Sequence, residues 1–240
     1  MQKRYVRLPL RNAYNVRDLG GYACSDGKTT KWNNLIRGDD LTNLNEDETD
    51  FLINYGVKTV IDLRSENECS TNPDPFAQRS DVQYMNIPLM DNVMADPPPE
   101  MIRNFDFSLS KTYADLADNA QPKIKKVIEA IIDSNGGVLF HCAAGKDRTG
   151  VIAMLLLGAA GVSEADIISN YEVTFTYLKQ NSDLVSQTRK YPSDVMMSKP
   201  EYIEKLIDHV SEKYGTVKQY LYSAGLSERA VLSLQDILSE

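Results

Sequence analysis

The residues best suited to chemistry lie in one segment, His141-Cys142-Ala143-Ala144-Gly145-Lys146-Asp147-Arg148-Thr149-Gly150. In a loop that enters a helix, successive backbone N–H groups can surround an anion and stabilise a thiolate such as that of Cys142. The guanidinium of Arg148 offers a planar fork for two phosphoryl oxygens. This spacing therefore predicts phosphoryl transfer through a phosphocysteine, which water then hydrolyses.

Two apolar elements flank the segment and would hold it in place. Val138-Leu139-Phe140 is short and wholly apolar, which is typical of a strand covered on both faces. Residues 149–160 are apolar almost all round, which predicts a helix enclosed by protein and too short to span a membrane. The segment is therefore predicted to be a strand-to-helix loop.

The other predicted elements indicate an α/β fold class. A helix is expected after Asn45, because Glu48 completes a capping box and Gly56 follows as a stop. Residues 57–63 and 82–89 have the composition of strands. The later elements are helical, over residues 121–134 and after the predicted N-caps Ser163, Ser198 and Ser227. A central sheet flanked by helices, with a helical C-terminal half, is the expected architecture.

The length of 240 residues suits a single domain over residues 1–240. One segment is ambiguous. Between Tyr171 and Lys199 the patterning is polar and poorly periodic, so this stretch is either a lid over the site or a solvated connection.

The composition excludes several classes of protein. A net charge of -8 argues against a nucleic-acid surface. With three cysteines and two histidines, neither a disulfide framework nor a metal site is expected, and no cofactor is implied. No transmembrane segment or export signal is found, so a cytoplasmic location is expected, or a secreted one if a signal peptide has been removed. The sequence leaves the oligomeric state open.

The loop resembles the C-x5-R loop of cysteine-dependent phosphatases. In the form H-C-x-A-G-K-D-R-T-G it is similar to that of bacterial atypical tyrosine phosphatases, which also act on phosphoserine, phosphothreonine and phosphoinositides. The resemblance extends to N-V-R-D-L-G-G-Y at residues 15–22 and to I-D-L-R with Glu68. Val16 and Gly38 depart from the family pattern, and residues 92–120 are least covered. The resemblance implies a cysteine-phosphatase-like fold.

By this resemblance Cys142 is the nucleophile and Arg148 binds the phosphoryl group. Thr149 is expected to donate a hydrogen bond to the sulfur, and His141 to orient the loop rather than transfer protons. The phosphate-binding amides are those of Ala143, Ala144, Gly145, Lys146, Asp147 and Arg148. The residues expected to hold the loop from behind, with isolated surface pairs as the alternative, are Arg17, Asp18, Asp62 and Arg64.

Two aspartates are candidates for the acid that protonates the leaving oxygen. Asp147 lies inside the loop and matches the family pattern, whereas Asp91 resembles the movable-loop acid of dual-specificity phosphatases. Each has a simpler interpretation: Asp147 as a partner in an ion pair that shapes the loop, and Asp91 as a turn residue after a strand.

Three other residues have two interpretations each. Lys146 either adds a positive charge at the mouth of the site, favouring multiply phosphorylated substrates, or is a solvated lysine. Cys24 and Cys69 are either unreactive small residues or partners of Cys142 in a regulatory disulfide.

The sequence therefore predicts a phosphatase that hydrolyses phosphotyrosine, with phosphoserine, phosphothreonine and phosphoinositide esters as further substrates. A phosphorylated protein or lipid is the expected partner, and phosphate or another oxyanion the expected occupant of the site. The alternatives are a phosphoinositide-preferring lipid phosphatase, a noncatalytic phosphate-binding module and a sulfurtransferase. The aromatic residues between Phe105 and Tyr113 either line the cleft or pack in the core.

Overall fold

A five-stranded sheet lies at the centre of the protein in the computed structural model, which describes residues 3–91, 108–182 and 196–240. Its spatial order is β1-β2-β5-β3-β4, with β1 antiparallel to β2 and the other neighbours parallel. The strands are β1 (Arg17–Asp18), β2 (Leu35–Gly38), β3 (Val57–Asp62), β4 (Gln83–Asn86) and β5 (Gly137–His141). The predicted α/β class is confirmed.

Helices cover both faces of this sheet. Among the described residues they are α1 (Glu46–Tyr55), α2 (Glu66–Thr71), α3 (Leu109–Asn119), α4 (Gln121–Ile132), α5 (Asp147–Ala159), α6 (Glu164–Leu178), α7 (Pro200–Tyr214), α8 (Val217–Ser223) and α9 (Glu228–Leu238). None of these helices is long and apolar enough to cross a membrane.

Both faces of the sheet are covered because its strands direct apolar side chains to alternate sides. Leu139 of β5 packs with Leu52 of α1 in a core on one face. Val138 and Phe140 pack on the other face, with Leu155 of α5. The uninterrupted apolar run in the sequence of β5 thus follows from burial on both sides.

The predicted helix ends are confirmed in part. The Asn45 capping box opens α1, and Ser163 and Ser227 cap α6 and α9. The prediction for Ser198 is wrong, because Lys199 is the N-cap of α7. The Ser198 hydroxyl instead bonds α6, accepting from the Phe175 amide at 2.9 Å and donating to the Glu172 carbonyl at 2.6 Å.

The segment between Tyr171 and Lys199, predicted as either a lid or a solvated connection, is in part regular helix. α6 continues to Leu178, and it buries Tyr171, Thr174 and Leu178, which recur at helical spacing. Residues 183–195 lie outside the described residues, so the lid over residues 171–199 stays a prediction for its remaining part. Strand β2 and helix α3 were not predicted from the sequence.

The register of the parallel strands gathers the functional loops at one edge. Gly38 of β2 and Asp62 of β3 both pair with His141, the last residue of β5. The chain leaves all three strands at their carboxyl ends, where open α/β sheets bind ligands. The loops after Gly38, Asp62 and His141 therefore meet beside Cys142.

Candidate active site

The loop between β5 and α5 turns its carbonyl groups outward. The Asp40 amide donates to the Ala143 carbonyl at 2.9 Å. The Asn15 side-chain amide donates to the carbonyls of Ala144 and Gly145 at 3.0 and 3.1 Å. Because the C=O and N–H of a trans peptide unit point in opposite directions, the following amides face away from these donors. The loop thus has the inner ring of N–H groups that an oxyanion needs.

Gly145 permits this turn of the backbone. Its φ of +62 lies in the left-handed region that favours glycine. A Cβ atom at this position would lie 2.4 Å from the Gly38 carbonyl oxygen. Because glycine lacks this Cβ atom, the loop can approach the end of β2 closely.

Cys142 lies at the start of this loop and is 2% exposed. Two guanidinium groups, those of Arg37 and Arg148, are close enough to interact electrostatically with its sulfur. Burial lowers the pKa of Arg37 to about 10, so it keeps its charge at neutral pH. Both cations are placed to attract negative charge in the loop.

Arg148 is oriented by Glu68 through two hydrogen bonds. Its Nη1 and Nη2 atoms donate to the two carboxylate oxygens at 2.6 and 2.9 Å. Burial alone would raise the pKa of Glu68, but these bonds outweigh it and lower that pKa. Since a guanidinium has five N–H donors, Arg148 retains three for an anion.

Asp147 is the first residue of α5, and its side chain is 31% exposed. Its Oδ1 atom accepts a hydrogen bond from the Tyr113 hydroxyl at 2.5 Å. Lys146 Nζ lies 3.4 Å from the same oxygen. The predicted ion pair within the loop is therefore present, and the carboxyl group retains access to the surface.

Lys146 is buried, with a side chain 4% exposed. Its ammonium group also donates to the Met197 carbonyl at 3.4 Å. The interpretation of Lys146 as a solvated lysine is wrong, and its charge is paired with Asp147 rather than unopposed.

Asp62 and Arg64 form a buried pair behind the loop. Arg64 Nη2 lies 2.7 Å from Asp62, and its Nη1 lies 3.0 Å from Asp40, whose amide holds Ala143. Burial raises the pKa of Asp62, but His141 and Arg64 together bring it well below its usual range. These two residues therefore act on the loop through Asp40.

His141 lies between two carboxylates. Its Nε2 atom is 3.2 Å from Asp74 and 3.7 Å from Asp62. Burial disfavours its charge, but Asp62 and Asp74 outweigh burial and raise the pKa of His141. Among the described residues these three have the composition of a metal site, with ligand atoms within 4.8 Å. Asp62 already accepts hydrogen bonds from Arg64 and Tyr84, so this carboxylate has partners within the protein.

The other predicted residues lie further from the loop. Arg17 acts on the loop indirectly, because its guanidinium group donates hydrogen bonds to Asn15, which holds the loop carbonyls. Asp18 instead accepts from Gly20, Asn33 and Tyr55, so the expectation that it holds the loop is wrong. It fixes the turn that follows β1.

Thr149 differs from expectation, whereas both interpretations of Asp91 stay open. The Thr149 hydroxyl is buried without a hydrogen-bond partner among the described residues, so the predicted bond to the sulfur is not formed. Asp91 is exposed and lines a cavity of about 410 Å³ together with residues of the segments 89–90 and 112–123.

The two remaining thiols lie outside the loop. All three cysteines are free. Burial and the neighbouring Asp62 raise the pKa of Cys69 to about 12, and burial also raises that of Cys24. Both shifts disfavour the reactive thiolate, in agreement with the interpretation of these residues as unreactive.

The sequence of the whole chain decides its family. A profile described as the tyrosine phosphatase family matches residues 8–240. The chain belongs to this tyrosine phosphatase family. A tyrosine-protein phosphatase of Nostoc commune is 34% identical over 214 residues, which cover 84% of this chain and 72% of that protein. The triple specificity protein phosphatase PtpB of Mycobacterium tuberculosis is 24% identical, over 95% of this chain and 98% of that one.

Solved structures give a weaker comparison. The crystal structure of TpbA from P. aeruginosa aligns with 74% of this chain and 94% of that one, at 15% identity and a TM-score of 0.34. A TM-score this low does not support a structural assignment, so the family assignment depends on the sequence matches.

Sequence reasoning about this family member missed several residues that shape the loop. Glu68 was noted only as part of a motif, and Arg37, which donates to the Gly145 carbonyl at 2.7 Å, had no assigned role. Asn170 connects the two buried arginines, since it accepts from Arg17 and Arg37 at 2.7 Å each. The signal available was the run N-V-R-D, but Asn15 contacts the loop, and Arg17 contacts Asn170, across more than a hundred positions of sequence.

We expect Gly145→Ala to abolish binding of inorganic phosphate, because the added Cβ would displace the loop from Gly38. Isothermal titration with phosphate or tungstate measures this. Gly27→Ala is the matched control, because it also replaces a glycine of positive φ, +84, but a Cβ there would meet no atom of the described residues within 4 Å. Binding by Gly145→Ala as tight as that of the control would contradict the described loop geometry.

Proposed function

We propose that the protein hydrolyses phosphotyrosine monoesters through a covalent phosphocysteine at Cys142. The observation that supports this most directly is the loop in which three successive carbonyls are held outward between Cys142 and Arg148. That arrangement gives an oxyanion inward-facing amides and a guanidinium beside the sulfur. Membership of the tyrosine phosphatase family supports the same reaction.

The first step transfers the phosphoryl group to sulfur. The Cys142 thiolate attacks phosphorus while Arg148 and the loop amides bind the equatorial oxygens. The bond to the ester oxygen breaks, and Asp147 gives that oxygen a proton. Asp147 is the better candidate because it lies in the loop itself, whereas the described cavity beside Asp91 is lined by residues of the segments 89–91 and 112–123.

The second step releases inorganic phosphate. A water molecule gives its proton to the Asp147 carboxylate and attacks phosphorus, and the Cys142 thiolate leaves. His141, Asp62 and Arg64 support the loop from behind without touching the reacting atoms. The proposed reaction requires no metal or cofactor.

The substrate class follows from the charges beside the loop. A polar cavity of about 730 Å³ adjoins Ala143 and Ala144, and Asp39 and Asp40 lie in its wall. Burial raises the pKa of Asp39 to about 6, so this carboxyl group is largely ionised at pH 7. Because Lys146 is paired with Asp147 and Asp40 with Arg64, the Asp39 carboxylate is the charge of this wall that favours a phosphotyrosine peptide over a lipid with several phosphates.

We expect Cys142→Ser to lower kcat with p-nitrophenyl phosphate by at least about a thousandfold while phosphate binding persists, because serine is not ionised in this loop. Vanadate should inhibit the native enzyme. Cys24→Ser makes the same exchange at a buried thiol outside the loop and should retain activity. Turnover by Cys142→Ser at the control rate would exclude the phosphocysteine, and binding without turnover by the native protein would indicate a binding module.

We expect Asp147→Asn to lower kcat about a hundredfold with phenyl phosphate and much less with p-nitrophenyl phosphate, because only a poor leaving group needs the proton. Asp91→Asn is the matched exchange and should change neither rate by more than about twofold. Steady-state kinetics with both esters make the comparison. A selective loss in the Asp91 variant would transfer the acid role to that residue.

We expect kcat/KM for a phosphotyrosine peptide to exceed that for a phosphoinositide with two further phosphates by about tenfold, because the cavity wall repels the added charge. An inositol monophosphate is the control without added charge. The gap should narrow as ionic strength rises. Preference for the polyphosphorylated lipid, undiminished by salt, would favour a lipid phosphatase instead.

A further inference from the structure

Three oxygen atoms form a continuous chain from the core to the active-site loop. The Tyr113 hydroxyl lies 2.5 Å from Asp147 Oδ1 and 2.6 Å from the Tyr171 hydroxyl. Tyr113 is 0% exposed and Tyr171 is 1% exposed. Buried hydroxyl groups need partners, but an apolar phenylalanine would fill the same space without that need. The hydroxyl of Tyr113 is therefore the feature to explain.

The direction of the hydrogen bonds follows from the chemistry of the three groups. An ionised Asp147 has no proton to give, so Tyr113 donates to it. Tyr113 then accepts from Tyr171. Burial, followed by the Asp147 charge, raises the pKa of both tyrosines well above its usual range, so both hydroxyl groups keep their protons.

The two oxygens of Asp147 have different surroundings. Tyr113 and Lys146 both contact Oδ1. When Asp147 is protonated, Oδ1 continues to accept from Tyr113, and the proton resides on Oδ2. That leaves Oδ2 as the oxygen from which the proton reaches a leaving group.

We propose that Tyr113, supported by Tyr171, is a positioning residue for the Asp147 acid. It holds Oδ1 so that Oδ2 carries the transferred proton, and it stabilises the carboxylate that forms when the proton leaves. The inference rests on the proposed acid role of Asp147.

The packing around Tyr113 and Tyr171 involves their rings, so the role of the Tyr113 hydroxyl can be separated from that packing. The Tyr113 and Tyr171 rings pack edge to face with centroids 6.0 Å apart, and this packing survives loss of a hydroxyl. A Cβ at Gly150 would lie 3.2 Å from the Tyr171 ring, so that ring fits closely against α5. Among the described residues, Lys146, Arg148, Tyr113 and Tyr171 interact with Asp147, and Arg37 and Tyr202 act in turn on Tyr171.

The test compares Tyr113→Phe with the native enzyme on phenyl phosphate across pH. We expect kcat to fall about tenfold with little change in KM, because one hydrogen bond to a charged group is lost. The limb of the profile where activity falls with rising pH should move to higher pH, because removing the donor disfavours the carboxylate. Tyr171→Phe should move it in the same direction by less.

Tyr220→Phe is the matched control, since its buried hydroxyl donates to Ala117 of the same helix α3 at 2.7 Å. It should leave the pH profile in place, and circular dichroism should show all variants folded. In the Asp147→Asn background, Tyr113→Phe should cause no further loss. An unchanged profile in folded Tyr113→Phe, or an additive loss in the double variant, would overturn the positioning role. A failure of Asp147→Asn to show leaving-group dependence would instead overturn the proposed acid.

Discussion

Fixed carbonyl directions at residues 143–145 are the constraint on which the active-site loop depends. Each carbonyl is held by a donor from a distant part of the chain: the Asp40 amide, Asn15 or Arg37. Gly145 is buried, and a buried carbonyl left without a partner costs about 1–3 kcal/mol, so the peptide unit after Gly145 cannot readily flip. Because the peptide unit is rigid, the donors that hold the carbonyls also fix the amides that face an anion.

The arginines behind the loop contribute charge as well as hydrogen bonds. Arg17, Arg37 and Arg64 are each 1% exposed. Arg64 is neutralised by Asp62 and Asp40, whereas the hydrogen bonds of Arg17 and Arg37 within the described residues go to neutral oxygens. The Asp39 carboxylate interacts electrostatically with Arg17, whereas Arg37 forms no ion pair with a carboxylate within the described residues. A thiolate or a phosphoryl group in the loop supplies the missing negative charge.

The sequence predicts those features whose cause is local. The strand at β5, the central helix and the capping box of α1 each follow from a few neighbouring residues. The loop between them was predicted because its residue types are specific to one kind of chemistry. The N-terminus of α7 was not predicted correctly. The Ser198 hydroxyl forms hydrogen bonds with α6 and so cannot cap α7.

Contacts between distant residues explain the remaining differences. Tyr113 and Asp147 are 34 positions apart, and Asn15 and Ala144 are 129 apart. The periodicity of apolar residues in a sequence does not predict contacts between such distant positions. The burial of Lys146 was missed for the same reason, because a lysine in a polar loop is ordinarily solvated and only the fold brings Asp147 and Met197 to its ammonium group.

The acid faces opposing demands that the substrate itself can reconcile. The proposed acid Asp147 lies at the N-terminus of α5, where the positive end of the helix dipole, the Lys146 ammonium group and the Tyr113 hydroxyl donor surround its carboxyl group. An acid must nevertheless carry a proton when the ester binds. A phosphoryl dianion seated beside Asp147 brings negative charge that favours the protonated form, and that charge is dispersed as the phosphoryl group passes to sulfur. In the proposed mechanism the proton is thus retained while the substrate is intact and released as the ester bond breaks, which couples proton transfer to phosphoryl transfer.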